Sequence, residues 1–167
     1  MCAFFVGDFA MARTELRRSN ALYDLDVHGA NKFPEGTDPA VICLSVGAWA
    51  LCFLGDEAGA LEEIRAALKH AEALQHPFSL AYAHGLAASV HQCCRDPGAT
   101  LNSAEAAIAL AEEHDYPYWL GWATALRGWA VAAQSDPDPG IKILLRGAEF
   151  YESTGAFQIK SYIQTLL

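Results

Sequence analysis

A shift of 40 residues brings this sequence into register with itself. The aligned positions are Gly55-Asp56 with Arg95-Asp96 and Ser135-Asp136, Leu61 with Leu101 and Ile141, and Glu72 with Glu112 and Glu152. Repeats of this length in alanine-rich amphipathic segments are typical of stacked helical hairpins, because one hairpin cannot bury its apolar side without a neighbour. The sequence therefore predicts an all-α fold, a right-handed solenoid of αα-hairpins with about three and a half repeats.

The whole chain, residues 1–167, is expected to form a single helical-repeat domain. Its predicted parts are a partial repeat at 8–23, a loop insertion at 24–39, full repeats at 40–74, 77–114 and 117–154, and a half repeat at 156–167. Four glycines and prolines between 24 and 39 argue against a helix in the insertion.

Hydrophobic periodicity predicts where the long helices lie. Their expected bounds are 8–23, 40–54, 57–74, 78–94, 97–114, 118–134 and 138–153. Gly55 is a natural helix stop, and the pair Thr154-Gly155 repeats that stop before the final half repeat. Pro77 and Pro117 suit the first turn of the helices that follow them, because that turn needs no backbone donor.

Composition limits the classes of partner. The chain has a net charge of −9, which argues against nucleic-acid binding and favours a basic or neutral protein partner. No apolar run approaches the roughly 20 residues of a membrane span, and residues 1–6 have no basic leader, so they are interpreted as helix and not as a signal peptide. Five cysteines without a C-x-x-C pair fit a reducing cytoplasm.

Several stretches from about Leu22 onward match a known pattern. They are Leu22-Tyr23-Asp24, Asp38 to Leu44, Ala48 to Leu51, His76 to Ala81, Trp119 to Trp122 and Arg127 to Ala130. This region resembles the tetratricopeptide-like repeats of large bacterial signalling proteins, which combine them with a STAND-type ATPase and an adenylate cyclase or DNA-binding domain. The resemblance implies a non-catalytic repeat region whose partner is a neighbouring domain. It implies no activity, and no G-x-x-x-x-G-K-[ST] loop is present.

In a hairpin solenoid the first helix of each repeat lines the concave side. Equivalent positions there form two expected rows, one of Ile42, Tyr82 and Trp122 and the other of Trp49, Ser89 and Trp129. Aromatic rows favour a binding groove, since Trp and Tyr offer large rigid contact area with a polar handle. The alternative is that these rings fill the space between repeats. Of the large rings, Trp119 is expected to be the most exposed.

The first functional hypothesis is a protein-interaction or regulatory scaffold, and the alternative is a small-ligand sensor with an aromatic pocket. The candidate binding residues are Trp49, Tyr82, Trp119, Trp122, Trp129, His84 and Arg127. In the sensor alternative, Arg127 or His84 orients a polar group of the ligand. The apolar ends, 1–6 and 162–167, leave self-association open, unless they fold back.

No catalytic set, cofactor or metal site is expected. His84, His91 and Cys94 share one helical face, but single packed side chains explain them better than a metal site does. The acidic pairs Glu62-Glu63 and Glu112-Glu113 are interpreted as a solvated convex face.

Overall fold

The structure is a computed structural model and describes residues 2–28, 36–135 and 137–167. Its helices are α1 (Cys2–Phe5), α2 (Phe9–Ala21), α3 (Leu25–His28), α4 (Pro39–Phe53), α5 (Glu57–Leu74), α6 (Pro77–Cys93), α7 (Pro97–His114), α8 (Pro117–Gln134), α9 (Pro137–Ser153) and α10 (Lys160–Gln164). The described residues contain no strand, and consecutive helices pack together, which confirms the all-α prediction. Within those ranges no helix has the length and apolarity needed to cross a bilayer.

The helix bounds follow from local chemistry at each end. α5 and α7 have the predicted bounds, whereas α4, α6, α8 and α9 begin one residue early, at a proline. Proline is favoured there because its fixed backbone angle suits a first helical turn, whose N–H groups have no partner within the helix. Gly55 and Gly155 follow the ends of α4 and α9 with positive φ angles of 81° and 79°, as expected for helix stops.

The segment 24–39 differs from its prediction as a loop, because its first part forms the short helix α3. The Asp24 carboxylate accepts a hydrogen bond from the Asp26 backbone N–H at 2.9 Å, and the Asp24 N–H donates to His28 Nδ1 at 3.0 Å. These local bonds stabilise one helical turn. The predicted breakers Gly29 and Pro34 lie in 29–35, outside the described residues.

The helices that carry the candidate site form a layer. α4 contacts α6, and α6 contacts α8, although each pair is separated in sequence by another helix. Each of the three also packs against the helix that follows it, α5, α7 or α9, while α2 packs against α4. Side chains of α4, α6 and α8 that point away from α5, α7 and α9 are therefore brought together on one side of the layer.

The interface between α8 and α9 depends on glycine. Facing positions along the two antiparallel helices are Gly121 with Tyr151, Ala125 with Gly147, Gly128 with Leu144, and Ala132 with Gly140. A Cβ atom at any of the four glycines would clash with backbone atoms of the facing helix. The alanine-rich composition predicts close helix packing in general, but these glycines permit a still closer approach of the two backbones.

Asp38 joins four parts of the fold. Its side chain is fully buried, and Oδ1 accepts hydrogen bonds from the backbone N–H groups of Ala40 and Val41 at the start of α4. Tyr23, just after α2, donates its hydroxyl to Oδ2 at 2.6 Å, and His70 Nε2 of α5 lies 3.3 Å from Oδ1. The Asp38 backbone N–H donates to Ser79 Oγ of α6 at 3.0 Å. A buried carboxylate is tolerated here because it has several hydrogen-bond partners.

Glu63 differs from its prediction as a solvated residue. The Arg13 guanidinium of α2 lies 2.8 Å from Glu63 Oε1 of α5, and this ion pair spans Gly47 of α4. Burial raises the pKa of the Glu63 carboxyl, while the charge and hydrogen bond of Arg13 act in the opposite direction. The ion pair links α2 to the first full hairpin. The periodicity of α5 alone could not reveal it, because the partner comes from a distant helix.

We expect Asp38→Ala to lower the free energy of unfolding by about 3 kcal/mol. The substitution removes a helix cap and leaves the Tyr23 hydroxyl and the His70 ring without their buried acceptor. Asp96→Ala is the matched control, because Asp96 caps α7 through a single bond to the Ala99 N–H at an exposed position. That control should lose only about 1 kcal/mol. Urea unfolding followed by circular dichroism measures both losses, and equal losses would contradict the joining role of Asp38.

We expect Gly128→Ala to destabilise the fold by about 3 kcal/mol or more, because the added methyl group meets the backbone of Leu144 and Gly140. Gly98→Ala is the control, since its new Cβ meets only one carboxylate oxygen, of Asp96, at 3.5 Å. A helical alanine at that position should raise stability by about 0.5 kcal/mol. Thermal unfolding gives both values. An unchanged melting temperature for Gly128→Ala would contradict the close approach of α8 and α9.

Candidate functional site

Four large aromatic side chains from α4, α6 and α8 meet on one side of the helix layer. The Trp49 ring lies 5.6 Å from that of Trp122, the Trp119 ring 5.2 Å from that of Trp122, and the Tyr82 ring 4.9 Å from that of Trp119. We call Trp49, Tyr82, Trp119 and Trp122 the aromatic cluster. All four are among the candidate binding residues, and the repeat pattern places Trp49, Tyr82 and Trp122 in the two expected rows.

The contacts of the cluster cross between the two expected rows. Trp49 contacts Trp122 of the other row, and the Trp122 indole N–H donates to Ser89 Oγ at 3.0 Å. Trp129, expected beside Trp49, is half-buried and packs against the margin of the core. The rings therefore form one connected group across three helices, in place of two parallel stripes.

The prediction that Trp119 is the most exposed ring is wrong. Trp119 is 3% exposed, as are Trp49 and Trp122. Its ring edge, the atoms Cε3 and Cζ3, lies against Gly85 of α6, where a Cβ would come within 2.6 Å of Cε3. The absence of a side chain at Gly85 creates the space for the ring, so the indole packs against the backbone of α6.

Both ends of the chain cover the aromatic cluster. The Phe4 ring of α1 lies 5.0 Å from the Trp49 ring, and the Tyr162 ring of α10 lies 5.0 Å from the same indole. The Tyr162 hydroxyl donates to Gln92 Oε1 of α6 at 2.8 Å, and burial raises the pKa of that hydroxyl well above its usual value. The cluster is thus shielded from solvent by segments of the same chain.

Covering the cluster leaves other apolar side chains at the ends of the chain exposed. Val6 is 80% exposed and Phe157 is 74% exposed, and Phe5 and Leu167 are also largely accessible. The apolar pattern of the last residues indicates that they need a covering surface. It could not identify that surface, because the partner residues Trp49 and Gln92 lie 113 and 70 positions away from Tyr162.

His84 and Arg127 lie apart from the cluster. Burial lowers the pKa of His84, the nearby charge of Glu72 on α5 opposes that effect, and the buried Nδ1 has no hydrogen-bond partner among the described residues. Arg127 lines a separate groove of about 520 Å³ between α7, α8 and α9, together with Glu112, Arg146 and Glu149. Neither residue therefore stands where it could orient a ligand at the aromatic cluster.

Three thiols converge next to the cluster. Cys52 of α4 interacts with Cys93 and Cys94 at the end of α6. The hydrogen bond between Cys52 and Cys93 raises the pKa of the Cys52 thiol and lowers that of the Cys93 thiol. Burial raises the pKa of both thiols. Burial also raises the pKa of Cys94. Cys43, Cys52, Cys93 and Cys94 are free thiols.

Among the described residues, no group of three or more His, Cys, Asp or Glu side chains is arranged to hold a metal ion. The candidate set of His84, His91 and Cys94 is divided between different surroundings. Burial lowers the pKa of both imidazoles. The charge that opposes this effect comes from Glu72 for His84 and from Asp96 for His91.

Comparison with protein-family models, with curated proteins and with solved structures found no match to this chain.

We expect His84→Leu to stabilise the fold more at about pH 5 than at about pH 8. The pKa of His84 is lowered in the folded state, so the unfolded chain binds a proton more readily and wild-type stability falls below about pH 6.5. Leucine removes this proton linkage and also the unpartnered Nδ1. Urea unfolding of both proteins at the two pH values measures the difference in stability, which should be larger at the lower pH. A difference independent of pH would contradict the buried, neutral state of His84.

Proposed function

We propose that this chain is a non-catalytic protein-interaction or regulatory module that binds a helical segment of a partner at the aromatic cluster. In this proposal the hairpins form a right-handed, tetratricopeptide-like superhelix of about three and a half repeats, with α4, α6 and α8 lining its concave side. The observation that carries the proposal is the contact of the chain's own helix α10 with the cluster through Tyr162.

α10 is an internal example of the ligand we propose. It has five residues, which is too short for a helix to persist alone in water, so its helical form depends on the contacts it makes. Tyr162 supplies an aromatic ring to Trp49 and a hydroxyl to Gln92, and Ile163 beside it is buried. Helix recognition in grooves commonly uses one such aromatic anchor with a few hydrogen bonds.

The charge of the chain supports a basic or neutral partner. The net charge is −9, and the one charged residue of α10 is Lys160, whose Nζ lies 3.2 Å from a Glu152 carboxylate oxygen on α9. Exposed ion pairs of this kind contribute little affinity, but the acidic surface favours the approach of a helix that is positively charged, as α10 is. A partner helix that competes with α10 should therefore combine an aromatic anchor with lysine or arginine.

The proposed partner follows from the resemblance to bacterial signalling proteins. In those proteins repeats of this kind accompany ATPase, cyclase or DNA-binding domains, and we propose a neighbouring domain of this sort, in the cytoplasm, as the source of the helix. The proposal assigns no catalysis, cofactor, metal or nucleic acid to the module. The exposed apolar residues at the two ends of the chain, Val6 and Phe157 among them, make a second copy of the chain the alternative partner.

The test uses a fluorescent peptide with the sequence of residues 156–167 and two forms of the full-length protein. Tyr162→Ala removes the internal anchor, so the peptide should bind this variant at least about tenfold more tightly than the wild-type protein, in which α10 competes from the same chain. Fluorescence anisotropy measures both affinities. Tyr162 is a better position for this substitution than Tyr82 or Trp122, because those two rings belong to the packed helix layer and their removal would also disturb its packing.

Two controls isolate the anchor. Ser161→Ala changes an exposed neighbour on α10 and should behave like the wild-type protein. A peptide that carries alanine in place of Tyr162 should bind none of the proteins. Equal binding of the intact peptide to the wild-type and Tyr162→Ala proteins, or no binding to either, would overturn the proposal that the cluster is a helix-binding surface.

A further inference from the structure

The ends of α4 and α6 bring three thiols into one small group. Cys52 lies in the last turn of α4, Cys93 is the last residue of α6, and Cys94 directly follows it. The Cys52 thiol is in hydrogen-bond contact with both Cys93 and Cys94. Its Sγ also lies 4.0 Å from the carbonyl oxygen of Val90, which accepts the Cys94 backbone N–H at 3.0 Å. Sulfur atoms from two different hairpins therefore lie side by side.

Position and exposure allow these thiols to react. Cys52, Cys93 and Cys94 are half-buried, whereas Cys43 in the middle of the helix layer is buried. A small oxidant can therefore reach the group without unfolding of the helices. A disulfide bond needs a specific separation of the two backbones, and the last turn of a helix adjusts to it more readily than a helix interior does.

The hydrogen bond between Cys52 and Cys93 makes the two thiols chemically unequal. It stabilises the thiolate of Cys93 and lowers the pKa of that thiol, although burial opposes the effect. The same hydrogen bond and burial both raise the pKa of Cys52, which therefore keeps its proton. The thiolate is the form of cysteine that attacks an oxidant. Cys93 is accordingly the first nucleophile of the pair, and Cys52 stands beside it as the second.

We infer that Cys93 and Cys52 are a peroxide-reactive pair that a hydroperoxide converts to a disulfide between α6 and α4. In the first step the Cys93 thiolate attacks the terminal oxygen of the hydroperoxide, the O–O bond breaks, and the departing oxygen takes a proton from solvent to leave as water or an alcohol. In the second step the Cys52 sulfur attacks the Cys93 sulfenic acid and the S–O bond breaks. The departing hydroxide takes the Cys52 proton and leaves as water, so two thiols supply the two electrons that reduce one peroxide.

The disulfide would join the hairpin of α4 and α5 covalently to the hairpin of α6 and α7. In a reducing compartment such a bond is transient and serves redox sensing, because cellular dithiols reduce it again. The pair lies close to the α10 contact, since Cys93 Sγ is 3.7 Å from Gln92 Oε1, the atom that accepts the Tyr162 hydroxyl. The chemistry of the pair does not rest on partner binding at α10, because it needs only the two sulfur atoms and the oxidant.

Peptide mapping of the full-length protein tests the bond itself. The reduced protein receives one equivalent of hydrogen peroxide, the remaining thiols are alkylated, and the chain is cleaved after lysine and arginine. Mass spectrometry should find residues 33–65 joined to residues 70–95, with the bond between Cys52 and Cys93. Thiols titrated in denaturant should fall from five to three and return to five after treatment with dithiothreitol.

Two variants test the order of the steps. Cys52→Ser removes the second nucleophile, so the sulfenic acid of Cys93 should persist, and dimedone, which labels sulfenic acids, should mark Cys93. Cys93→Ser leaves Cys52 as a protonated thiol, so dimedone labelling at Cys52 should be at least about tenfold slower than labelling of Cys93 in the first variant. Mass spectrometry locates and quantifies the label. Equal labelling of the two variants would refute the assignment of Cys93 as the first nucleophile.

Two further variants are matched controls. Cys94→Ser changes the half-buried neighbour of Cys93, Cys43→Ser changes the buried cysteine of α4, and both should keep the disulfide. A disulfide between Cys93 and Cys94, or no disulfide between the two peptides of the wild-type protein, would overturn the inference. The wild-type peptide map needs no substitution, so it decides the question even if a variant fails to fold.

Discussion

The buried carboxylate of Asp38 is the interaction on which the rest of this structure depends. It caps α4, and its contacts with Tyr23 and His70 tie that helix to the end of α2 and to α5, while the Asp38 backbone N–H donates to Ser79 at the start of α6. A charge with no exposure requires all of these partners at once, because any partner that left would expose the remaining groups to an uncompensated desolvation cost. The network therefore sets the position of α4 against α6, and with it the side of the layer where the aromatic rings meet.

A second constraint is the difference between the two sides of α8. On one side, Gly121 and Gly128 let α9 approach until the backbones touch, and on the other side Trp119 and Trp122 project their large rings toward α4 and α6. Gly85 extends this complementarity to α6, where the missing side chain creates the space for the Trp119 ring. Small residues on one surface and large rings on another allow a thin helical layer to carry both a tight interface and a cavity.

The aromatic surface has two distinct parts. Tyr162 fills one of them with an anchor from the same chain, and its hydroxyl binds Gln92. The other part is an apolar cavity of about 210 Å³ with a mainly aromatic lining. Trp49 contacts Tyr162 and also borders this cavity, so occupancy of one part can influence the other through direct packing.

The sequence by itself determined the long helices, because their signals are local: apolar periodicity along each helix, prolines at helix starts and glycines at helix stops. The 40-residue period also brought Trp49, Tyr82 and Trp122 under consideration. Tertiary structure alone decided that Trp119 is buried, that Glu63 pairs with Arg13, that Arg127 and His84 lie elsewhere, and that α10 covers the cluster. Each of these depends on contacts between residues far apart in sequence, and periodicity fixes the face of a helix but not the segment that packs against it.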